Sequence, residues 1–158
     1  MKYLILDFMR MAEYLEIPCT GFPTPDPVVQ DMETLEIPEE QPLIYRMVHY
    51  GVEAAKQGKG LAYIHAVGHL YYSSGLVWTE GDHLAKTLNK IGMNLDELES
   101  KFDKNFDKND ATINESQRVL ETAGHWGVPN LVFKNEPFFG QDRVDVCLWR
   151  MKQHGLKP

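Results

Sequence analysis

The chain has 158 residues, 43% of them hydrophobic, which fits one domain with enough apolar side chains for a packed core. Its formal charge of -7, from 23 acidic against 16 basic residues, comes with no Lys/Arg cluster that would neutralise phosphates, so nucleic acid is not an expected partner. The opening apolar run Tyr3 to Leu6 is cut by Asp7 and Arg10, too short for a signal peptide or a membrane span, and Cys19 and Cys147 form no Cys-x-x-Cys pair, so a cytoplasmic protein without a membrane partner is expected.

Leu4, Phe8, Met11 and Leu15 recur at steps of three and four, which predicts a helix over Tyr3 to Leu15 that Pro18 stops. From Ile17 to Pro42 the chain carries six of its nine prolines and reads as a long loop, with Phe22, Val28 and Val29 expected to be buried. Ile44, Met47, Val48, Val52 and Ala55 predict a helix from Leu43 to Gln57, closed by Gly58-Lys59-Gly60. A second follows from Leu61 to Tyr72, and Thr79 with Asp82 offers a capping signal for a third through Ile91. Asn94 opens a fourth with Leu95, Leu98 and Phe102, and a separate fifth is expected from Thr112 to Ala123.

After Gly127 the pattern changes. Asn130 to Phe133 and Pro137 to Phe139 are short apolar runs around Lys134-Asn135-Glu136, which predicts a hairpin; Asn135 tolerates φ > 0, and Glu136 in place of glycine leaves the turn type open. From Asp142 the helical period returns, with Val144, Cys147, Leu148 and Met151 on one face and an end at Gly155. The expected organisation is one domain over 1–158, helical over 1–123 and strand, strand, helix over 124–158.

Two motifs in this last segment stand out: Gly124-His125-Trp126-Gly127-Val128-Pro129 before a strand, and Phe138-Phe139-Gly140-Gln141-Asp142-Arg143 opening the final helix. In order and spacing they resemble the end of the 2-hydroxychromene-2-carboxylate isomerase and kappa-class glutathione transferase group, which has a DsbA-like thioredoxin fold. Tyr3, Asp7, Arg10 and Ile17-Pro18 resemble that group's first inserted helix. The resemblance implies an α/β thioredoxin-like, mostly α protein, a helical subdomain followed by a β-hairpin and a C-terminal helix. Group members carry a strand, a turn with a Ser or Cys nucleophile, a helix and a second strand before that first helix. Such a unit needs about 30 residues, so the resemblance implies a member without its nucleophile-bearing unit, and the catalytic residues stay unassigned.

By this resemblance Val128 and Pro129 form a cis-proline loop whose main chain pairs with an extended thiol substrate. Gln141 and Asp142, at the start of the last helix, are implied to hold the γ-glutamyl end of glutathione; Arg143 is weighed between orienting Asp142 through a charge-assisted bond and a solvated surface role. His125 is the implied acid/base, weighed against a packing or capping role, and Trp126 is weighed between ligand platform and core. Kappa-class transferases have Asn before the Asp of the first helix; here Leu6 stands there, which removes a polar contact and brings divergent, isomerase-like substrates level with glutathione. Glutathione is thus the implied cofactor, a small thiol or an aromatic carboxylate the implied ligand, and thiol-dependent isomerase or oxidoreductase chemistry the implied activity. The rival expectation is a catalytically inactive binding or regulatory module.

Other signals are set aside. His65 and His69 lie four apart on a predicted helix but lack a third ligand, so no metal is expected. Asp103 to Asp110 opens like a calcium loop, yet Lys108 replaces the glycine and Asn114 the bidentate Glu. Cys147 falls on an apolar helix face and Cys19 in the proline-rich loop. A lone hairpin is marginal in water, which predicts a homodimer with a shared sheet, or pairing with a missing N-terminal segment.

Overall fold

In a computed structural model of the chain, residues 2–31, 33–34 and 36–157 are described; Met1, Met32, Leu35 and Pro158 lie outside them, as do those points of the predicted 1–158 domain and proline-rich loop. The chain forms two compact units, Met1–Asn109 and Asp110–Pro158. Among the described residues no helix is long and apolar enough to cross a membrane.

The first unit is helical: α1 (Lys2–Tyr14), α2 (Pro42–Lys56), α3 (Gly60–Tyr72), α4 (His83–Lys90) and the opening turns of α5 (Leu95–Thr122). Pro42 suits the first turn of α2, where its missing N–H leaves no bond unmade. Positive φ at Gly58 and Gly92 lets the chain leave α2 and α4. The core gathers Met47, Tyr50, Ala54, Tyr63, Val67, Leu70, Trp78, Leu88, Met93 and Leu98.

The proline-rich loop is ordered by specific bonds. Trp78 Nε1–H donates to the Pro25 carbonyl at 2.7 Å, Gln41 exchanges two 2.8 Å bonds with the Val29 main chain, and the Thr20 N–H donates to Tyr72 O at 2.7 Å. Phe22, Val28 and Val29 do not bury as expected; they stay 51%, 37% and 44% exposed, because this frame of backbone and polar bonds, with Phe22 stacked on Phe8, holds the loop instead of an apolar plug.

The predicted face of α2 is also corrected. Val48 is 38% exposed and Ala55 is exposed, while His49, Tyr50, Glu53 and Ala54 turn inward. Glu53 is tolerated there because it accepts bonds from Lys56 Nζ (2.8 Å), Asn105 Nδ2 (3.0 Å) and Asn109 Nδ2 (3.1 Å), and Lys56 also donates to Asn109 Oδ1 (2.5 Å). His49 lies between Phe102 and Phe106, its ring centroid 5.2 and 4.6 Å from theirs. These contacts explain a second correction: the two helices expected over 94–123 are one. No Gly or Pro interrupts Leu95 to Thr122, and the polar run reads as a break only until Asn109 is seen wholly buried against Glu53. Thr79 and Asp82 also fail as a side-chain cap for α4; the Asp82 carboxylate pairs with Lys86 at 2.9 Å instead.

In the second unit, β1 (Asn130–Phe133) and β2 (Glu136–Phe139) pair antiparallel with Phe133 opposite Glu136. Lys134 and Asn135 both adopt positive φ, 50° and 64°, which settles the open question as a two-residue primed turn. The final helix α6 (Val144–Gln153) packs on both strands, and Cys147 is its buried residue. It begins later than predicted: Gln141–Arg143 form a 3-10 turn ahead of it. Val144 and Leu148 on its expected apolar face remain 42% and 40% exposed, because the short hairpin covers only part of it.

Burial pushes the Glu53 carboxyl up, but the bonds from Lys56, Asn109 and Asn105 outweigh this and hold it below its ordinary value of 4.5. Glu53→Ala is therefore expected to cost about 2–3 kcal/mol in urea unfolding at neutral pH, since it strands three donors. A lowered folded-state value adds stability above the unfolded value and loses it as pH falls through the folded one, so the gap to wild type should narrow below the ordinary 4.5.

Candidate functional site

The second unit holds every residue the sequence nominated. Gly127 is the hinge on which the loop is built. Its N–H donates to His125 Nδ1 at 2.8 Å, and the His125 ring stacks on Phe139 with centroids 4.1 Å apart and planes 17° apart. A Cβ on Gly127 would meet Phe139 Cε2 at 2.5 Å and His125 Cε1 at 2.7 Å, so only glycine lets the backbone approach this stack. Because Nδ1 accepts, a neutral His125 carries its proton on Nε2, and only that nitrogen is left for proton transfer. Trp126 lies beside His125, centroids 6.0 Å apart, and at 80% exposed it is not a core residue.

The Val128–Pro129 peptide is cis, as the motif led one to expect. Val128 is 79% exposed, and among the described residues neither its N–H nor its C=O has a hydrogen-bond partner. One residue on, the Pro129 carbonyl accepts the Gly140 N–H at 2.9 Å, which ties the loop to the turn that opens α6. Gly140 has φ 105°, and Asp142 folds back over it: Asp142 Oδ1 would stand 2.5 Å from a Cβ placed there. Arg143 Nη1 pairs with Asp142 Oδ2 at 3.0 Å, the orienting contact anticipated, although both groups are exposed and the pair adds little stability. Gln141 is exposed in the same turn. Gly140 thus lies between Pro129, whose carbonyl its N–H holds, and Asp142, which folds over it.

The family model of the DSBA-like thioredoxin domain matches residues 28–152. The chain belongs to the DSBA-like thioredoxin domain family. No curated protein and no solved structure matches it. The DSBA-like assignment agrees with a mostly helical chain closed by a β-hairpin and a helix.

Sequence reasoning missed Phe139 as the support of His125. The available signal was Gly127, a glycine flanked by bulky residues, a position where close approach of a neighbour is one reason for a missing side chain. In this DSBA-like chain Cys147 is buried and Cys19 is partly buried, its Sγ 3.9 Å from Met9 Sδ; both thiols are free. Residues 124–143 contain no Ser, Thr or Cys.

Gly127→Ala is expected to push the rings of His125 and Phe139 apart and to cost about 1–3 kcal/mol. Loss of the ring-current shifts of both residues in the NMR spectrum, with the hairpin amides retained, would show it.

Proposed function

We propose that the chain is a thiol-binding member of the 2-hydroxychromene-2-carboxylate isomerase and kappa-class glutathione transferase group, taking glutathione or a related small thiol at the Val128–Pro129 loop. The observation that carries this reading is the Val128 peptide, 79% exposed with its N–H and C=O both unpaired among the described residues. Such a peptide accepts an extended ligand backbone as a sheet edge accepts a strand. The Asp142 carboxylate, held over Gly140 and steadied by Arg143, is suited to the ammonium of a γ-glutamyl group, with Gln141 beside it. In this reading the ring of Trp126 offers a face to an aromatic carboxylate substrate, and His125 Nε2 is the proton carrier for thiol-dependent isomerase or oxidoreductase chemistry. The setting we propose is cytoplasmic, in keeping with two free thiols.

A second reading, a binding or regulatory module without turnover, is favoured by one observation: the loop, hairpin and turn carry no nucleophile. Elsewhere in the same unit Ser116 Oγ and Thr122 Oγ1 donate to helix carbonyls and Cys147 is buried.

Titration with millimolar reduced glutathione is expected to raise the melting temperature and to shift the amide signals of Gly127, Val128 and Gln141. Val128→Pro, which deletes one donor on an exposed loop, should weaken binding about tenfold, or about 1.4 kcal/mol. Unmoved Val128 and Gln141 amides in the wild-type protein would overturn the thiol-site reading. Binding without consumption of an aromatic carboxylate substrate would select the module.

The sheet of the described residues has two strands, and the open edge of β1 supports a homodimer in which a second copy completes it. Sedimentation at micromolar concentration should then give twice the chain mass; a folded monomer would count against the shared sheet.

A further inference from the structure

The first unit has a surface groove that shares no residue with the loop described above. It lies between α3 and α4, has a volume of about 460 Å³, and so falls in the size range of small-molecule sites, about 300–1,000 Å³. Its floor is apolar: Leu70, 4% exposed, with Ala66 and Ile91. Its rim is basic. His65 and His69 stand four apart on α3, one turn above the other, and His83, Lys86 and Lys90 face them from α4.

The sign of this rim is the informative feature. In a chain with 23 acidic against 16 basic residues, no carboxylate lines the groove. The one acid recorded beside it is Asp82, which pairs with Lys86 at 2.9 Å, both side chains more than half exposed. Lys90 has no carboxylate partner among the described residues, and the rings of His65 and His69 have no hydrogen-bond partner there. A metal does not account for the histidines, because no three His, Cys, Asp or Glu side chains among the described residues converge as a ligand set. An anion does: imidazole and ammonium N–H groups donate to a carboxylate while the apolar floor takes the body attached to it.

We propose that the α3–α4 groove binds a small monocarboxylate with a short apolar body, its carboxylate held by Lys90 and Lys86 with His65 and His69, and its body against Leu70 and Ile91. Lys86 exchanges its exposed partner Asp82 for the ligand, a contact worth little to lose. The apolar floor separates this ligand from inorganic phosphate, and the basic rim separates it from neutral amphiphiles.

The test titrates the full chain with hexanoate while the imidazole Hε1 signals of His65, His69 and His83 are followed by NMR. Hexanamide, with the same body and no charge, and inorganic phosphate, anionic with no apolar body, serve as controls. The expected result is a saturable shift of the three histidines by hexanoate, with both controls at least about tenfold weaker. The double variant Lys86→Gln, Lys90→Gln, both exposed positions, should lose at least about tenfold in affinity for hexanoate. Absence of a saturable shift in the wild-type protein overturns the proposal, whatever the variant does. So does phosphate or hexanamide binding as well as hexanoate, or an undiminished affinity in a double variant that keeps its wild-type circular dichroism.

Discussion

A main-chain hydrogen bond from the Gly140 N–H to the Pro129 carbonyl carries the pairing of β1 and β2 one step further and joins the two halves of the proposed thiol site. It adds to the Asn130–Phe139 pairing and the His125–Phe139 stack in tying the loop to the residues that lead into α6. Both ends depend on close approach. At Gly140 a positive φ allows Asp142 to return over the backbone, and at Gly127 the missing side chain leaves room for the His125–Phe139 stack. The polar groups offered outward combine the Val128 main-chain atoms with the exposed side chains of Gln141, Asp142 and Arg143. On the reading proposed above, the Val128 main chain would pair with the backbone of a small thiol ligand.

The helical unit meets a different constraint, that of placing charge inside a small core. Glu53 is buried among Lys56, Asn105 and Asn109, while Glu99 accepts from Tyr50 and pairs with Arg46, whose guanidinium sits 4.7 Å over the Phe102 ring. Burial and the Glu99 bond push the Tyr50 hydroxyl well above its ordinary value, so it remains a donor. These acids answer cations on α2 and amides on α5. The basic residues of α3 and α4 face one nearby acid, Asp82, which pairs with Lys86 and also acts on His83, and so a chain that is acidic in total presents a basic groove. Net charge describes the average field; the local pairing of acids decides where an anion is drawn.

The proposed thiol site and the groove make different demands on the chain. The first uses backbone geometry enforced by two glycines and a proline, and tolerates changes in side chain wherever contact is through main-chain atoms. The second uses side-chain charge on two packed helices and would vanish by substitution without disturbing the fold.

Much of the second unit was legible in the sequence because its signals are local. Lys134-Asn135 between two apolar runs specifies a hairpin, Gly127-Val128-Pro129 marks the bend before it, and the aromatic-Gly-x-Asp-Arg step marks the approach to α6; each depends on what a residue's own backbone tolerates. Helix existence in the first unit was legible for the same reason, from apolar spacing and from Gly and Pro stops. What the sequence by itself left undetermined are the properties that belong to pairs distant along the chain. The inward face of α2 is decided by Asn105 and Asn109, which accommodate a buried Glu53 and carry one helix through a polar stretch that reads as a break. The exposure of Phe22 and Val28 and the basic groove of α3 and α4 are likewise decided only in three dimensions. Local dihedral preferences act within a few residues, whereas burial and electrostatic pairing depend on which remote side chain arrives, and only tertiary packing supplies that.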